Sequence, residues 1–299
     1  MSLETKSGYA AIIGKPNAGK STLMNKLVGA RLSIVTNKPQ TTRKKVLGIY
    51  TSDNLQIIFQ DTPGILKPRY EMQKSMMRYV DESLEAADLA VFIVDVSDYR
   101  GFDSYFIPEV KGRLDMIDRP KIVILNKTDL INDKKDLLPI IDELHKSGYF
   151  EEIIPISALK NDNTDRLIDV FRKYMPGSRF FYDPEQLSTS PERFFVAEII
   201  REHVFNMFHD EVPYSTEVQI LEFKERPDAK WYISADIIVE RSGQKAIIIG
   251  KEGSSIKKLG ENAREDIEAH LDNQIFLELF VKVRDNWRNH PGMLRSYGY

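Results

Sequence analysis

Cysteine is absent from this chain of 299 residues. Its absence excludes a disulfide framework, thiol catalysis and any zinc site built on cysteine, and it is typical of proteins in a reducing compartment. Histidine is scarce as well, and the five histidines do not have the spacing of metal ligands. Any catalytic centre must therefore be built from other groups.

Long apolar runs are also missing. No stretch approaches the roughly 18 consecutive apolar residues of a membrane-spanning helix, and residues 1–6 lack the apolar region of a secretion signal. The formal net charge of -3 gives no general sign of a nucleic-acid partner. We expect a soluble protein, and the length indicates about two domains.

A glycine-rich turn follows the first apolar run, residues 9–13. Residues 14–21 read Gly-Lys-Pro-Asn-Ala-Gly-Lys-Ser, a complete G-x-x-x-x-G-K-S phosphate loop. The helical spacing after it places the phosphates at a helix N-terminus, where unpaired N–H donors favour anions. Lys20 would reach the β- and γ-phosphates, and Ser21 would coordinate Mg²⁺. The expected nucleotide contacts in this loop are Asn17, Ala18, Gly19, Lys20, Ser21 and Thr22.

A second motif, Asn-Lys-Thr-Asp at residues 126–129, follows a short apolar strand. It lies at the strand end where open α/β sheets bind ligands. The Asp129 carboxylate can accept hydrogen bonds from two adjacent donors of guanine, a pair that adenine lacks, so the pattern predicts GTP and GDP as ligands. The stem of Lys127 would cover the ring. The expected base contacts are Asn126, Lys127, Asp129, Ser157, Ala158 and Leu159.

The tetrapeptide Asp-Thr-Pro-Gly at residues 61–64 follows another strand pattern and completes the predicted triphosphate site. Asp61 would hold Mg²⁺ through a water molecule, and the Gly64 N–H would contact the γ-phosphate. Thr42 or its neighbour Thr41 would complete the metal shell; spacing does not separate them, and we favour Thr42. The residues predicted to act in hydrolysis are Lys20, Thr42, Asp61 and Gly64.

Two segments beside this site are predicted to be ordered in one nucleotide state and loosened in the other: the first switch segment, residues 37–43, and the second switch segment, residues 65–87. In Ras-like proteins a glutamine after the glycine orients the attacking water, but Ile65 has no hydrogen-bonding group. We therefore expect slow intrinsic turnover. Asn17 would either hold K⁺ at the phosphate loop or shape its turn, and the sequence leaves both open.

Strands and helical segments alternate over the first part of the chain. This predicts an α/β fold, a P-loop domain with a mostly parallel sheet and helices on both faces. We place a GTP-binding domain at residues 1–180 and a second domain at 181–299, with a linker at about 176–190. The second domain would begin with a helix after Ser190, followed by two strands joined by a hairpin turn at residues 224–229.

The second domain contains a helix–Gly-Lys-Glu-Gly–helix pattern at residues 250–253. Two glycines permit close approach of a single-stranded RNA backbone, and the second helix N-terminus faces phosphate. Residues 181–299 hold 15 Lys and Arg against 21 Asp and Glu, but residues 241–258 hold five against one. Binding would therefore use one basic face; a solvated helix surface is the alternative. The expected RNA contacts are Arg241, Lys245, Gly250, Lys251, Glu252, Gly253, Lys257 and Lys258.

The order of these motifs resembles the bacterial Era GTPases. The segments that match are G-K-P-N-A-G-K-S, P-Q-T-T-R, D-T-P-G, N-K-T-D, S-A-L and I-I-G-K-E-G-S-S-I-K-K-L-G, and the resemblance covers essentially the whole chain. It implies a P-loop GTPase domain followed by an α+β type II KH domain, with Mg²⁺ as cofactor. It further implies a monomer that binds the single-stranded 3′ end of small-subunit ribosomal RNA and assists assembly of the small ribosomal subunit. The implied location is the cytoplasm, with a peripheral fraction at the inner membrane.

A second hypothesis about the function remains open. In this hypothesis the chain is a GTPase whose second domain is a protein- or membrane-interaction module. Binding of a short single-stranded RNA separates the two hypotheses.

Overall fold

The computed structural model describes residues 5–227 and 229–299, and the chain divides into two compact units. The first unit comprises the residues up to Ser33, Thr42–Pro68 and Ser75–Thr189. The second unit comprises Ile34–Thr41, Arg69–Lys74 and Ser190–Tyr299. Both switch segments thus contribute residues to the second unit. The domain boundary near residue 180 stays a prediction.

A six-stranded sheet forms the centre of the first unit. Its strands are β1 (Lys6–Gly14), β2 (Val46–Ser52), β3 (Leu55–Asp61), β4 (Leu89–Asp95), β5 (Lys121–Asn126) and β6 (Glu152–Pro155). The order across the sheet is β2-β3-β1-β4-β5-β6, in which β2 is antiparallel to β3 and every other pair is parallel. The parallel strands read as nearly continuous apolar runs because both of their faces are buried. The predicted mostly parallel sheet is confirmed.

Among the described residues before Ser190, the chain forms six α-helices. They are α1 (Lys20–Val28), α2 (Glu71–Ala86), α3 (Phe102–Tyr105), α4 (Pro108–Met116), α5 (Leu137–Lys146) and α6 (Asp165–Tyr174). Helix α6 shows how they attach: Leu167 and Phe171 are buried on one face, and Phe171 packs edge-on against Phe59 of β3 with ring centroids 5.5 Å apart. Apolar residues at helical spacing thus fix the helix against the sheet.

The second unit contains α7 (Glu192–Met207), β7 (Glu217–Lys224), β8 (Trp231–Val239), α8 (Ser242–Ile249), α9 (Ser254–Leu271), β9 (Ile275–Val283) and α10 (Pro291–Ser296). The sheet order is β7-β8-β9, with β7 antiparallel and β9 parallel to β8. Alternate residues of β8 are fully buried in one apolar core: Ile233, Ala235 and Ile237. The order of elements confirms the predicted type II KH fold. The predicted hairpin turn includes Asp228, which lies outside the described residues.

Candidate functional site

The motifs of the predicted nucleotide site begin at one edge of the first unit's sheet. Four neighbouring strands, β3, β1, β4 and β5, end there with Asp61, Gly14, Asp95 and Asn126. Ligands of parallel α/β sheets bind at the carboxyl ends of the strands. The topology therefore brings together chain segments that are far apart in the sequence.

The phosphate loop connects β1 to α1 and owes its shape to Gly19. This residue has φ 100°, and a Cβ there would lie 2.2 Å from Nδ2 of Asn126, so no side chain fits. Lys20 begins α1 and is buried, with its ammonium donating to the carbonyl of Lys15 at 2.9 Å. Burial lowers the pKa of Lys20 to about 8, against the opposing effect of the Asp61 carboxylate.

Two hydroxyl groups and one carboxylate meet beside this loop. Asp61 Oδ2 accepts a hydrogen bond from Ser21 Oγ at 2.7 Å and another from Thr42 Oγ1 at 3.5 Å, and the two hydroxyl oxygens lie 2.9 Å apart. Asp61 Oδ1 is buried without a hydrogen-bond partner among the described residues. Burial raises the pKa of Asp61, and the Ser21 and Lys20 interactions oppose that shift. An unsatisfied carboxylate oxygen beside two hydroxyls is a donor set that suits Mg²⁺.

The hydroxyl of Thr42 belongs to this group, whereas the hydroxyl of Thr41 makes different hydrogen bonds. The Thr41 hydroxyl donates to the carbonyl of Lys38 at 2.7 Å and lies 3.1 Å from the hydroxyl of Thr36. These partners belong to the second unit. The arrangement supports the preference for Thr42.

Close backbone contact fixes the Asp-Thr-Pro-Gly segment against the phosphate loop. A Cβ on Gly64 would lie 2.6 Å from the nitrogen of Pro16, so the approach requires glycine. The N–H of Ile65 donates to the carbonyl of Gly14 at 2.9 Å, and the Ile65 side chain is buried. The position after Gly64 is therefore occupied by an apolar group held in the protein interior.

On the base side, Asn126 connects two loops through its amide group. Its Nδ2 donates to the carbonyl of Ala18 at 2.8 Å, and its Oδ1 accepts from the N–H of Ala158 at 2.9 Å. Ser157 Oγ donates to Asp129 Oδ1 and so orients the carboxylate expected to read guanine. Ala158 is buried and the side chain of Leu159 is exposed. Neither side chain can form a hydrogen bond, so only backbone groups of these two residues can donate to or accept from the base.

Asp95 is a residue that sequence reasoning missed. The ammonium of Lys127 lies 2.6 Å from Asp95 Oδ2, while Asp95 Oδ1 accepts from the N–H and the hydroxyl of Ser97. The pair fixes the Lys127 stem, which is expected to cover the base. The available signal was the position of Asp95 as the last residue of β4, at the ligand-binding edge of the sheet.

In the second unit, the Gly-Lys-Glu-Gly loop lies between α8 and α9. Gly250 has φ 72°, and a Cβ there would lie 2.2 Å from Ser255 Oγ, whereas Gly253 has φ 79° and directly precedes α9. Lys251 and Glu252 are exposed. The loop is thus shaped by its glycines and open to a ligand.

The predicted RNA-contact residues extend from Arg241, directly before α8, through α8 and the loop to the first turns of α9. Arg241, Lys257 and Lys258 are exposed, and Lys245 is half-buried. Ile247 is exposed as well, which places an apolar group among them. Cations beside an apolar surface can serve the backbone and the bases of a single strand, respectively.

Comparison with known proteins identifies both domains. Residues 9–127 match the 50S ribosome-binding GTPase family, and residues 211–288 match the KH domain family. GTPase Era of Ruminiclostridium cellulolyticum is 44% identical to this chain over 98% of the chain and 97% of its own length. The chain belongs to the Era family of GTPases.

Two crystal structures of Era proteins resemble this structure over its whole length. One is Era in complex with MgGDPNP and nucleotides 1506–1542 of 16S ribosomal RNA, which is 40% identical, with 99% of each chain covered and a TM-score of 0.93. The other is an Aquifex aeolicus Era variant bound to GDP.AlF4⁻, also 40% identical with 99% of each chain covered, and a TM-score of 0.92. Membership in the Era family confirms the GTPase activity and the fold predicted from the motifs. Among the described residues, no helix is long and apolar enough to cross a membrane.

Proposed function

We propose that this Era-family GTPase binds the single-stranded 3′ end of small-subunit ribosomal RNA and acts in assembly of the small ribosomal subunit. The observation that carries the proposal is the exposed glycine loop between α8 and α9, in the same chain as the triphosphate site. The Era structure with MgGDPNP and 16S nucleotides supports the combination of ligands. A protein- or membrane-interaction module is the alternative role of the second domain.

The nucleotide would bind along the carboxyl edge of the first unit's sheet. Lys20 would move its ammonium from the loop carbonyls to the β- and γ-phosphates, and N–H groups of residues 17–22 would face the phosphates. Asp129, oriented by Ser157, would accept from guanine N1–H and the 2-amino group. Lys127, held by Asp95, would cover one face of the ring.

The metal would be held by Ser21 and Thr42 directly and by Asp61 through water. Mg²⁺ supplies neutralisation of the charge that develops on the γ-phosphate oxygens. The buried Asp61 carboxylate holds both hydroxyls in position through hydrogen bonds. The Gly64 N–H would contact the γ-phosphate, and Ile65 cannot orient the attacking water. We therefore propose slow intrinsic hydrolysis.

We propose K⁺ at the phosphate loop as a source of positive charge for this slow reaction. Asn17 is exposed, and its φ of 61° is also compatible with a purely conformational role in the turn. If Asn17 holds K⁺, replacing Na⁺ by K⁺ at constant ionic strength raises the hydrolysis rate, and Asn17→Ala abolishes the difference. Equal rates in both salts would favour the conformational role.

We also propose that the protein is a cytoplasmic monomer with a peripheral fraction at the inner membrane. This proposal rests on the resemblance to bacterial Era GTPases. Sedimentation equilibrium tests the oligomeric state, and co-sedimentation with anionic vesicles tests the peripheral association. A stable dimer, or no vesicle binding at low salt, would contradict the corresponding part.

Filter binding of the full-length chain tests the RNA proposal. The probe is a single-stranded oligoribonucleotide with the 3′-terminal sequence of small-subunit ribosomal RNA, in the presence of a non-hydrolysable GTP analogue or GDP. We expect tighter binding to the single strand than to the same sequence paired with its complement, because a paired strand hides its base edges. Absence of binding to either form in both nucleotide states would favour the protein- or membrane-interaction role.

A further inference from the structure

Arg201 is a buried cation on α7, and its side chain is only 1% exposed. Its Nη2 donates to the backbone carbonyl of Thr41 at 2.6 Å, and its Nε donates to Glu198 Oε1 at 2.8 Å. A second bond joins Nη2 to Glu198 Oε2 at 2.5 Å. All three residues belong to the second unit.

The chemistry of this group indicates a positioning role. A buried charge is costly unless its partners have good geometry, and an apolar pair often stabilises a fold equally well. Burial would lower the pKa of Arg201, but the Glu198 carboxylate raises it above its ordinary value. The planar guanidinium can bond a carboxylate and a carbonyl together, whereas an ammonium offers no such fixed fork. The arginine thus fixes the Thr41 carbonyl as well as pairing with Glu198.

The first switch segment has a second attachment to the same helix. The ammonium of Lys38 donates to the carbonyls of Phe205 and Phe208, at the C-terminal end of α7. Carbonyls in the last turn of a helix lack intrahelical partners and favour cations. The segment 38–41 is therefore attached to α7 at each of its own ends, through Lys38 and through Thr41.

The fixed carbonyl belongs to the peptide group that joins Thr41 to Thr42. Thr42 in turn places its hydroxyl 2.9 Å from Ser21 Oγ and 3.5 Å from Asp61 Oδ2. We propose that Arg201 is a positioning residue for Thr42: by holding the preceding peptide group, it keeps the Thr42 hydroxyl in the Mg²⁺ shell of the GTP complex. This inference rests on the metal site proposed above.

The expected signature is selective for the triphosphate state. The first switch segment is predicted to be ordered when the γ-phosphate and Mg²⁺ are both bound, so a residue that fixes it stabilises that complex more than the GDP complex. A residue that only stabilises the fold would change the affinity for both nucleotides equally. The ratio of GTP-analogue to GDP affinity therefore separates a positioning role from a structural one.

The test uses variants of the full-length chain. Arg201→Lys keeps the charge but loses the planar pair of donors, while Arg201→Met combined with Glu198→Gln removes the cation together with its hydrogen-bonded carboxylate. The buried carboxylate of Glu217, whose charge also acts on Arg201, keeps its hydrogen bond from the Tyr299 hydroxyl in this double variant. We expect both to weaken binding of a non-hydrolysable GTP analogue by about tenfold, to raise the Mg²⁺ concentration for half-saturation, and to leave GDP affinity within about twofold. Arg193→Met, which changes an exposed arginine on the same helix, is the matched control and should change none of these values.

Thr42→Ala completes the experiment as a double-mutant cycle. Arg201→Lys should cause no further loss of GTP-analogue affinity in the Thr42→Ala background, because the positioned group is already absent. If Thr42→Ala alone leaves GTP-analogue and Mg²⁺ binding unchanged, the proposed metal site is wrong. If Thr42→Ala weakens both but the Arg201 variants bind the GTP analogue normally, or lose GTP-analogue and GDP affinity in parallel, the positioning role is overturned.

Discussion

Among single residues, substitutions at Asp129 and Ser157 test how the protein recognises the guanine base. Asp129→Asn replaces an acceptor with a donor facing the guanine 2-amino group, so GTP affinity should fall while xanthosine triphosphate, whose 2-oxo group accepts, should gain. Ser157→Ala removes only the hydrogen bond that orients the carboxylate, and we expect a smaller loss for GTP with no gain for xanthosine triphosphate. Competition titrations with both nucleotides measure this, and an Asp129→Asn variant that still prefers GTP would contradict the assignment.

Lys20 should make nucleotide binding depend on pH. Burial lowers its pKa to about 8, and phosphate oxygens beside it would raise the pKa again. Binding then takes up a proton above this pKa, so affinity should be nearly constant below it and fall as the pH rises. We expect about a tenfold loss of GTP-analogue affinity between about pH 7 and pH 9.

Calorimetric titration in buffers of different ionisation enthalpy measures this proton uptake directly. Lys20→Arg keeps its charge over the whole range, so its affinity should show no slope from this position. A flat profile for the unmodified protein would show that Lys20 is already charged throughout.

Among the elements, the Gly-Lys-Glu-Gly loop between α8 and α9 is predicted to contact an RNA phosphate. Replacing Lys251 and Glu252 with aspartates keeps both glycines and therefore the turn, but places two negative charges where a phosphate must pass. RNA affinity should fall at least about tenfold, or about 1.4 kcal/mol, and the salt dependence should become shallower because a phosphate contact is lost. The same substitutions at the exposed Lys-Glu pair Lys224 and Glu225 are the matched control.

Filter binding at several salt concentrations measures both quantities for the two double variants. GTP-analogue affinity without RNA should be unchanged in each. Equal RNA affinity of the two variants at every salt concentration would mean that the loop is only a connection between α8 and α9.

Local patterns in the sequence predicted some of the elements and the motif residues that the structure brings to one edge of the sheet. The apolar runs predicted β1, β3 and β5, and the motifs after them predicted which residues meet at the edge of the sheet. For Asp95, the position at the end of β4 was the available signal, but its pairing with Lys127 was not predictable. The role of Arg201 was not predictable, since it depends on a partner distant in the chain. That partner, Thr41, is 160 positions away from Arg201. A charged residue on a helix normally indicates a solvated face, so burial of Arg201 leaves no signal in the local pattern.

At the scale of the whole molecule, both switch segments contribute to the compact unit that contains the KH domain. Gln40 Oε1 lies 3.3 Å from the hydroxyl of Tyr70 and 3.2 Å from Nε2 of Gln73, both of which donate to it. The guanidinium of Arg288 lies over the Tyr70 ring, 5.0 Å from its centre, and pairs with Glu240 at 2.5 Å. Glu240 is two residues before α8, the helix that leads into the glycine loop.

These contacts predict that nucleotide and RNA binding are linked. Linkage is reciprocal: the ratio of RNA dissociation constants with GTP analogue and with GDP must equal the ratio by which RNA changes GTP-analogue affinity relative to GDP affinity. A coupling free energy of about 1–3 kcal/mol is typical of such sites. Since Arg288 joins Tyr70 to Glu240, Arg288→Gln should bring the ratio of RNA dissociation constants with GTP analogue and with GDP closer to one. The RNA affinity in the GDP state should stay nearly unchanged. Arg295→Gln, at an exposed position of α10, is the control. If RNA binds the unmodified protein equally tightly with GTP analogue and with GDP, the contacts among the switch segments and the KH domain do not couple nucleotide binding to RNA binding.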